Sequence, residues 1–409
     1  MKETKFKNTE IGKIPEEWET LYIHQITEIS TGATPSTNIN EYWENGTIRW
    51  MSSGELNNKI IYDVNGRITQ KGYDNTGTHM LPKNCVLIGL AGQGRTRGTA
   101  AYNKVELCTN QSIAAILPNS KYESKYLYFY IDSLYDKLRL LSAGDGGRGG
   151  LNKQILQNLE ITMPPLNEQH RIVSALTSID NLISSLGKLI EKKKNIKQGA
   201  MQQLLTGKTR LKGFSERWVY RKISEIATTS SGGTPSRSIP SYYYGDIKWF
   251  TTTELKDNYL YDSVEHITRE ALNNSSAKMF SANTILMAMY GATIGKLGVL
   301  KEPSTSNQAC CAIKCNDIVE IFLFYILLYN RKSIIEKGCG AGQPNISQAI
   351  VNELSFLVPP CEKEQQAIAN ILSKMDNEIT ALEAKKAKYE AIKQGMMQQL
   401  LTGKIRLIS

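Results

Sequence analysis

The sequence predicts an α+β protein of two similar globular domains, each followed by a long helix, the two helices forming an antiparallel coiled-coil-like pair. Three observations predict it. Residues 192–211, KKKNIKQGAMQQLLTGKTRL, return at 388–407 as KYEAIKQGMMQQLLTGKIRL, and the match runs back without a gap to Asn167-Glu-Gln and Lys363-Glu-Gln. Thr206 and Thr402 lie 196 residues apart in a chain of 409, so the internal period is nearly half the molecule. The repeated stretch also carries apolar residues at 3–4 spacing, the pattern of a coiled-coil seam. Ahead of each copy lie short apolar and aromatic runs punctuated by Gly, Asn and Pro, which read as strands of mixed sheets.

In the first domain, Ile14-Pro-Glu-Glu-Trp18 precedes Ser30-Thr-Gly-Ala-Thr-Pro-Ser36. The second has Phe214-Ser-Glu-Arg-Trp218 and then Ser231-Gly-Gly-Thr-Pro-Ser236, with tryptophans and Thr-Pro pairs both 200 apart. Such dense Ser, Gly and Pro make a tight turn. Ile48-Arg-Trp50 and Gly54-Glu-Leu56 return as Ile247-Lys-Trp249 and Thr253-Glu-Leu255, and Asn110-Gln-Ser112 returns as Asn307-Gln-Ala309. Between these landmarks, residues 57–105 and 256–302 hardly align, although both end in strand-like runs at Cys85–Leu90 and Thr284–Met289. One helix is expected around Lys125–Leu141 and another around Ile318–Lys332, each followed by a glycine-rich loop, 144–150 or 338–342.

Pro164-Pro165 and Pro359-Pro360 then mark helix starts. The predicted seam is Ile172, Ala175, Ile179, Leu182, Leu186, Leu189 and Ile196, interrupted only by Lys193, with Ile368, Ile371, Met375, Leu382, Tyr389 and Ile392 in the second copy. Such a stripe needs a partner, and the nearest is the other copy folding back in the same chain. About forty residues at about 1.5 Å each make a rod of about 60 Å. The domains are therefore expected at 1–163 and 209–358, with helical spacers at 164–208 and 359–409.

Composition bounds the function. Charged residues are 22% and apolar residues 41%, ordinary for a globular protein. No apolar run approaches membrane-spanning length and the N-terminus has no secretory pattern, so a cytoplasmic protein with no membrane partner is expected. Seven scattered cysteines read as reduced thiols rather than a disulfide or zinc framework. A formal charge of +10 favours a polyanionic partner such as DNA or RNA.

The motifs of a self-contained enzyme do not emerge. The Pro pairs sit in Met163-Pro-Pro-Leu166 and Val358-Pro-Pro-Cys361, without the flanking amide or acid and aromatic of an amino-methyltransferase. Gly89-Leu-Ala-Gly-Gln-Gly94 has the wrong spacing for a dinucleotide fingerprint, and Thr206-Gly-Lys-Thr209 lacks the leading glycine of a phosphate loop. Asp246 with Glu254-Leu-Lys256 is too short a constellation for a metal nuclease, and the first half has Glu55-Leu-Asn57 in its place.

Two divergent α+β domains, each followed by a near-identical long helix, resemble the specificity (S) subunit of type I restriction–modification enzymes. The residues that carry the resemblance are Pro164-Pro-Leu-Asn-Glu-Gln169 with Pro359-Pro-Cys-Glu-Lys-Glu-Gln365, the Gln-Gln-Leu-Leu-Thr-Gly-Lys runs at 202–208 and 398–404, and the two Thr-Pro-Ser turns. The resemblance implies that each globular domain is a target-recognition domain reading one half of a split sequence in double-stranded DNA. It implies that the helices set the spacing and dock methyltransferase (M) subunits. Catalysis would then lie with M and restriction (R) subunits, which use S-adenosylmethionine, ATP and Mg, while this chain holds no cofactor or metal of its own. The first glycine loop departs from the second: Gly150-Leu-Asn-Lys153 stands where the second has Gln343-Pro-Asn-Ile-Ser347.

DNA reading needs cations for phosphates and Arg, Lys, Asn or Gln for base edges. The candidates are Arg95 and Arg97 in Gly92–Gly98, Arg148, Asn152 and Lys153 around the first glycine loop, Arg237 beside the second Thr-Pro-Ser turn, Lys296 in Gly291–Lys296, and Gln343 and Asn345 in the second glycine loop. A self-contained DNA methyltransferase or nuclease, or a coiled-coil scaffold, are the alternatives. The missing catalytic motifs weigh against the first, the basic charge and the duplicated domains against the second.

Overall fold

The computed structural model describes residues 5–92, 94–142, 150–338 and 345–408. It divides into two compact units, Met1–Gly187 with Lys385–Ser409, and Lys188–Ala384. Each unit therefore holds one globular domain, the first part of the helix that follows it, and the last part of the other long helix.

The first unit is centred on a five-stranded mixed sheet of β1 (Ile29–Thr31), β2 (Ile60–Ile61), β3 (Val86–Gly89), β4 (Ala100–Asn103) and β5 (Ile113–Ile116), in the order β1-β5-β3-β4-β2. The second has β6 (Ala227–Ser231), β7 (Asn258–Leu260), β8 (Ile285–Ala288), β9 (Leu297–Leu300) and β10 (Cys310–Cys315), in the same order, β6-β10-β8-β9-β7. The central strands are unbroken apolar runs because both faces of the sheet are covered. Val86, Ile88, Ala100, Tyr102, Ala114 and Ile116 face one cluster, and Leu87, Ala101, Ile113 and Ala115 the other. Alternation of period two also sorts Ile285, Met287, Leu297 and Val299 from Leu286, Ala288 and Leu300 in the second unit. Each unit adds a three-stranded sheet centred on Ile48–Met51 or Ile247–Phe250.

The expected helices are present, each broken in two: Ser124–Ser133 and Tyr135–Leu141, then Glu320–Tyr329 and Arg331–Lys337. No proline or glycine marks either break, so the sequence carried no signal for it. The stretches expected to diverge share more than their sequences suggested. Tyr62-Asp63 and Arg67-Ile68-Thr69 coincide with Tyr261-Asp262 and His266-Ile267-Thr268, each 199 apart. Asp63 pairs with Arg67, and Asp262 with His266, in the same (i, i+4) relation, and Thr69 and Thr268 each cap a short helix. Two residues of identity on either side of a variable turn are too few to register without the fold.

The long helices are α1 (Leu166–Leu204) and α2 (Glu362–Leu400). Their inward stripe corrects the expected seam at alternate positions. Ile172, Ile179 and Leu186 are buried as expected, but the intervening places belong to Leu176 and Ile190. Leu182, Leu189 and Ile196 are 37%, 38% and 47% exposed. In α2 the same shift puts Leu372 and Ile379 inward and leaves Ile392 40% exposed. Apolar residues flank the stripe on both sides, so 3–4 and 4–3 spacing fit the sequence equally; the packing of the globular domain chooses between them. Ile172 and Leu176 join the core of the first unit, and Ile368, Ala369 and Leu372 that of the second.

The far ends of the helices are buried too. Leu400 and Leu401 enter the first unit's core and Leu204 and Leu205 the second's, which explains the repeated Leu-Leu. Gly403, at φ +70°, ends α2 against Pro15, where a Cβ would stand 2.4 Å from the ring; it is a helix-terminating residue, as the sequence argument against a phosphate loop requires.

Ion pairs fix the antiparallel register. In the first unit Arg406 holds Glu168 and Lys393 holds Asp180; in the second, Arg210 holds Glu364 and Lys197 holds Asp376. The two sets coincide under the 196-residue shift. Lys193, the polar interruption of the seam, pairs with Glu378 at 2.6 Å. Lys197 Nζ lies 2.5 Å from Asp376 and 5.3 Å from the centre of the Tyr325 ring, whose hydroxyl donates to the same carboxylate at 2.7 Å. Polar pairs at seam positions specify register at the expense of some stability.

The two Glu–Arg clamps are not equally supported. Glu168 also accepts from Trp18 Nε1 at 3.0 Å and from the Leu407 N–H. Among the described residues, Glu364 accepts side-chain bonds from Arg210 alone and the equivalent Trp218 Nε1 is buried without a partner. Arg210→Ala therefore strands a buried carboxylate and is expected to cost its unit about 3–5 kcal/mol. Arg406→Ala is expected to cost less, because Glu168 keeps two donors. Urea unfolding of the two variants, with Arg210→Ala/Glu364→Gln recovering part of the loss, checks the order.

Candidate nucleic-acid interface

The strand order brings one end of each five-stranded sheet together from distant parts of the sequence. In the first unit the end of β1, the start of β5 and the β3–β4 connection meet there, since β5 runs antiparallel to both β1 and β3. The Thr-Pro-Ser turn leaves β1 and lies flush on residues 109–111. Gly32 permits this: a Cβ there would fall 1.8 Å from the Thr109 carbonyl oxygen. Trp50 Nε1 donates to the Ala33 carbonyl at 3.0 Å, and Thr34 Oγ1 donates to Gln111 Oε1 at 2.6 Å. The second unit repeats each part. Gly232 packs on Ser306 and Asn307, Trp249 Nε1 donates to the Gly233 carbonyl at 2.9 Å, and Thr234 donates to Gln308. Thus two landmarks about seventy-five residues apart in sequence, Thr-Pro and Asn-Gln, touch in both halves.

Arg95 and Arg97 lie in the β3–β4 connection at this sheet end. Arg95 is exposed, and its carbonyl accepts from Thr99 Oγ1 at 2.6 Å and from the Tyr135 hydroxyl at 3.2 Å. Arg97 is half-buried, with Nε buried and unpartnered among the described residues. Arg139 Nη1 donates to the Gly94 carbonyl and pins the loop to the helix Tyr135–Leu141. Gly150 comes within 3.9 Å of the Leu90 carbonyl, measured from an added Cβ, and so brings the segment leading to Asn152 and Lys153 beside the same loop. Asn152 caps the helix Lys153–Gln157, its side chain accepting from the Ile155 N–H at 2.8 Å, so its side-chain oxygen is engaged locally. Lys153 is exposed. Arg148 lies outside the described residues.

In the second unit the β8–β9 connection carries Lys296, and Tyr290 bridges to Asn345 as an isolated ladder pair, with the Ile346 N–H donating to the Met289 carbonyl at 2.7 Å. Lys296 and exposed Asn345 thus belong to one loop cluster. Gln343 lies outside the described residues. Lys296 Nζ is held by Asp257 at 2.9 Å, and Asp257 also takes Arg331 and the Leu297 N–H at 3.0 Å. Arg331 Nε donates to the Gly295 carbonyl at 2.8 Å, pinning this loop as Arg139 pins the other. Arg237, one residue past the second Thr-Pro-Ser turn, is held differently. It lies 4.0 Å over Tyr243 and 5.1 Å over Trp249, and pairs through both terminal guanidinium nitrogens with Glu265. That pairing raises the Arg237 pKa and lowers that of Glu265.

The candidates therefore fall into two kinds. Arg95, Arg97 and Lys153 make no ion pair among the described residues, whereas Lys296 and Arg237 share their charge with a carboxylate. The sequence also missed residues that shape the loops. Lys59 and Asp257, both at φ 62°, stand immediately before β2 and β7. Lys59 pairs with Asp132 in the helix Ser124–Ser133 at 2.7 Å, and Asp257 pairs with Arg331 in the helix Arg331–Lys337, so each domain ties this point to its broken helix at a different place. Ion pairs made from different positions in the two halves are invisible to a search for identity.

Comparison with known proteins agrees with this architecture. The family model for the type I restriction modification DNA specificity domain matches residues 15–198 and 215–394. The MjaVIII type I restriction enzyme specificity subunit of Methanocaldococcus jannaschii is 27% identical over 99% of this chain and 97% of its own. The EcoR124I/EcoR124II specificity subunit of Escherichia coli is 31% identical over 42% of each chain. The solved S subunit from M. genitalium superposes with a TM-score of 0.62 at 16% identity, covering 94% of this chain and 96% of that one. A chain from a structure describing complex assembly and conformational transition of the type I R-M system gives 0.60 at 15% identity over 96% and 99%. With both halves matched and nearly the whole length aligned, the chain belongs to the type I restriction–modification DNA specificity family.

Proposed function

We propose that each globular domain reads one half of a bipartite sequence in double-stranded DNA through the loop cluster at the end of its five-stranded sheet. The observation that carries this reading is the contrast between scaffold and loops. Strand order, turn anchors and helix clamps repeat in both halves, while the loops at the sheet ends differ: Gly92–Gly98 presents arginines without an ion pair among the described residues, and Gly291–Lys296 a single paired lysine. A molecule that reads two different half-sites from one platform requires that combination. Exposed cations suit phosphates, and Arg, Asn and Gln suit base edges.

The helices set the distance between half-sites and offer a docking surface to M subunits, for which the exposed flank of Leu189 and Ile196 is suited. Methyl transfer and cleavage, with their S-adenosylmethionine, ATP and Mg, belong in this reading to M and R partners, and the chain itself is a non-catalytic recognition subunit in the cytoplasm. No helix among the described residues is long and apolar enough to cross a membrane.

Three outcomes are expected. Deleting the gene in a host with an active M subunit abolishes a split methylated motif in single-molecule methylation sequencing; an unchanged methylome would contradict the reading. Arg95→Ala/Arg97→Ala weakens binding by the assembled complex at moderate salt and flattens the salt dependence by about two phosphate equivalents, measured by fluorescence anisotropy. One heptad inserted into both long helices adds about 10 Å, which lengthens the spacer of the methylated motif by about three base pairs.

A further inference from the structure

We propose that the Thr34–Gln111 and Thr234–Gln308 pairs are a sequence-independent phosphate contact, one per domain, in which each Gln Nε2 amide donates to a phosphodiester oxygen of the duplex. This rests on the reading that the sheet ends face DNA, and it assigns a role to the Thr-Pro-Ser and Asn-Gln landmarks that base reading leaves unexplained.

Position is the first argument. The Leu90 N–H, which opens the Arg95 loop, donates to the Ser112 carbonyl at 2.8 Å, and the Met289 N–H, which opens the Lys296 loop, donates to the Ala309 carbonyl at 2.9 Å. Each glutamine therefore stands one residue from the strand end where a variable loop begins. The second argument is sameness among difference. Around the pair, Thr37 gives way to Arg237, Trp43 to Tyr243 and Gly66 to Glu265, yet threonine, glutamine and their hydrogen bond persist in both domains. Domains that read different half-sites have the duplex backbone in common, whereas an identical base contact would demand the same base in both half-sites.

The third argument is the orientation of the amide. The threonine hydroxyl donates to Gln Oε1, which fixes the amide plane and turns the Nε2 hydrogens outward. Gln111 and Gln308 are exposed, and among the described residues neither Nε2 donates a hydrogen bond. Considerable framework supports this arrangement: a glycine with no room for a Cβ, and a buried tryptophan whose N–H holds the adjoining carbonyl. A surface pair serving only stability would not need free donors held at the same place twice. Neutral donors bind phosphate without releasing further counterions, so they set the position of the protein on the duplex more than its salt response.

The test uses the full chain assembled with its methyltransferase subunits, a duplex carrying the methylated motif and a duplex lacking it. Gln111→Ala and Gln308→Ala are each expected to weaken binding to both duplexes by a similar factor, about tenfold, with the ratio between duplexes and the salt slope unchanged. Gln111→Glu and Gln308→Glu retain the acceptor for threonine and the side-chain shape but set a carboxylate against phosphate, so a larger common loss is expected with thermal unfolding unaltered. Loss confined to the motif duplex, with altered preference at one base pair, would make the glutamines base readers and overturn the proposal. Unchanged DNA affinity with weakened subunit assembly in analytical ultracentrifugation would overturn it in favour of a protein contact. If the unaltered complex distinguishes neither duplex, the DNA-facing reading itself falls; in the other arms that reading stands and only the glutamine assignment is decided.

Discussion

A buried carboxylate at the first turn of each long helix is the constraint on which the rest depends. Glu168 and Glu364 are 3% and 0% exposed, a placement that a carboxylate tolerates only with a cation and further donors around it. Each takes its arginine from the segment that follows the other long helix, so a helix that leaves its own domain must return antiparallel, in one register, to satisfy the charge. The neighbouring glutamine completes the junction. Gln169 accepts from the Glu123 N–H at 2.8 Å and donates to the Pro164 carbonyl, and Gln365 does the same with Val319 and Pro359. Glu and Gln side by side thus tie a helix start to the opposite helix end and to its own domain, which is why the pair persists in both copies.

Much of this was legible because it is duplicated. The strands Val86–Gly89 and Ile285–Ala288, the helix starts after the proline pairs and the antiparallel helical pair follow from period and punctuation. What the sequence left ambiguous is what neighbours decide. Ala175 and Leu176 stand side by side on α1, either one compatible with the apolar spacing; Leu176 is fully buried in the core, and Ala175 packs partly buried at its edge. Nothing in the heptad alone prefers Leu176. The breaks at Leu134 and Asn330 carry no helix-breaking residue. At the candidate interface, the landmarks were visible as separate motifs, but that the Thr-Pro turn rests on the Asn-Gln segment depends on the long-range pairing of β1 with β5. The charges of Lys296 and Arg237 looked free in sequence because their partners, Asp257 and Glu265, lie far from them along the chain.

The manner in which the loops are anchored explains how the two halves diverge without losing the fold. Arg139 and Arg331 reach from the second piece of each broken helix, Tyr135–Leu141 and Arg331–Lys337, and donate to loop carbonyls, of Gly94 and Gly295. The anchor is the loop's backbone. The arginine anchor asks nothing of the loop side chains, although Lys296 adds its own pair with Asp257, so Gln-Gly-Arg-Thr-Arg can stand where the other domain has Ala-Thr-Ile-Gly-Lys. The pairs Lys59–Asp132 and Asp257–Arg331 carry the same logic one step further: each domain ties the segment before β2 or β7 to its broken helix, through different residues at different positions. A scaffold fixed through main-chain carbonyls, paired charges and buried strands leaves the exposed loop side chains as the part free to change, and those are the atoms with which a DNA reader distinguishes one half-site from another.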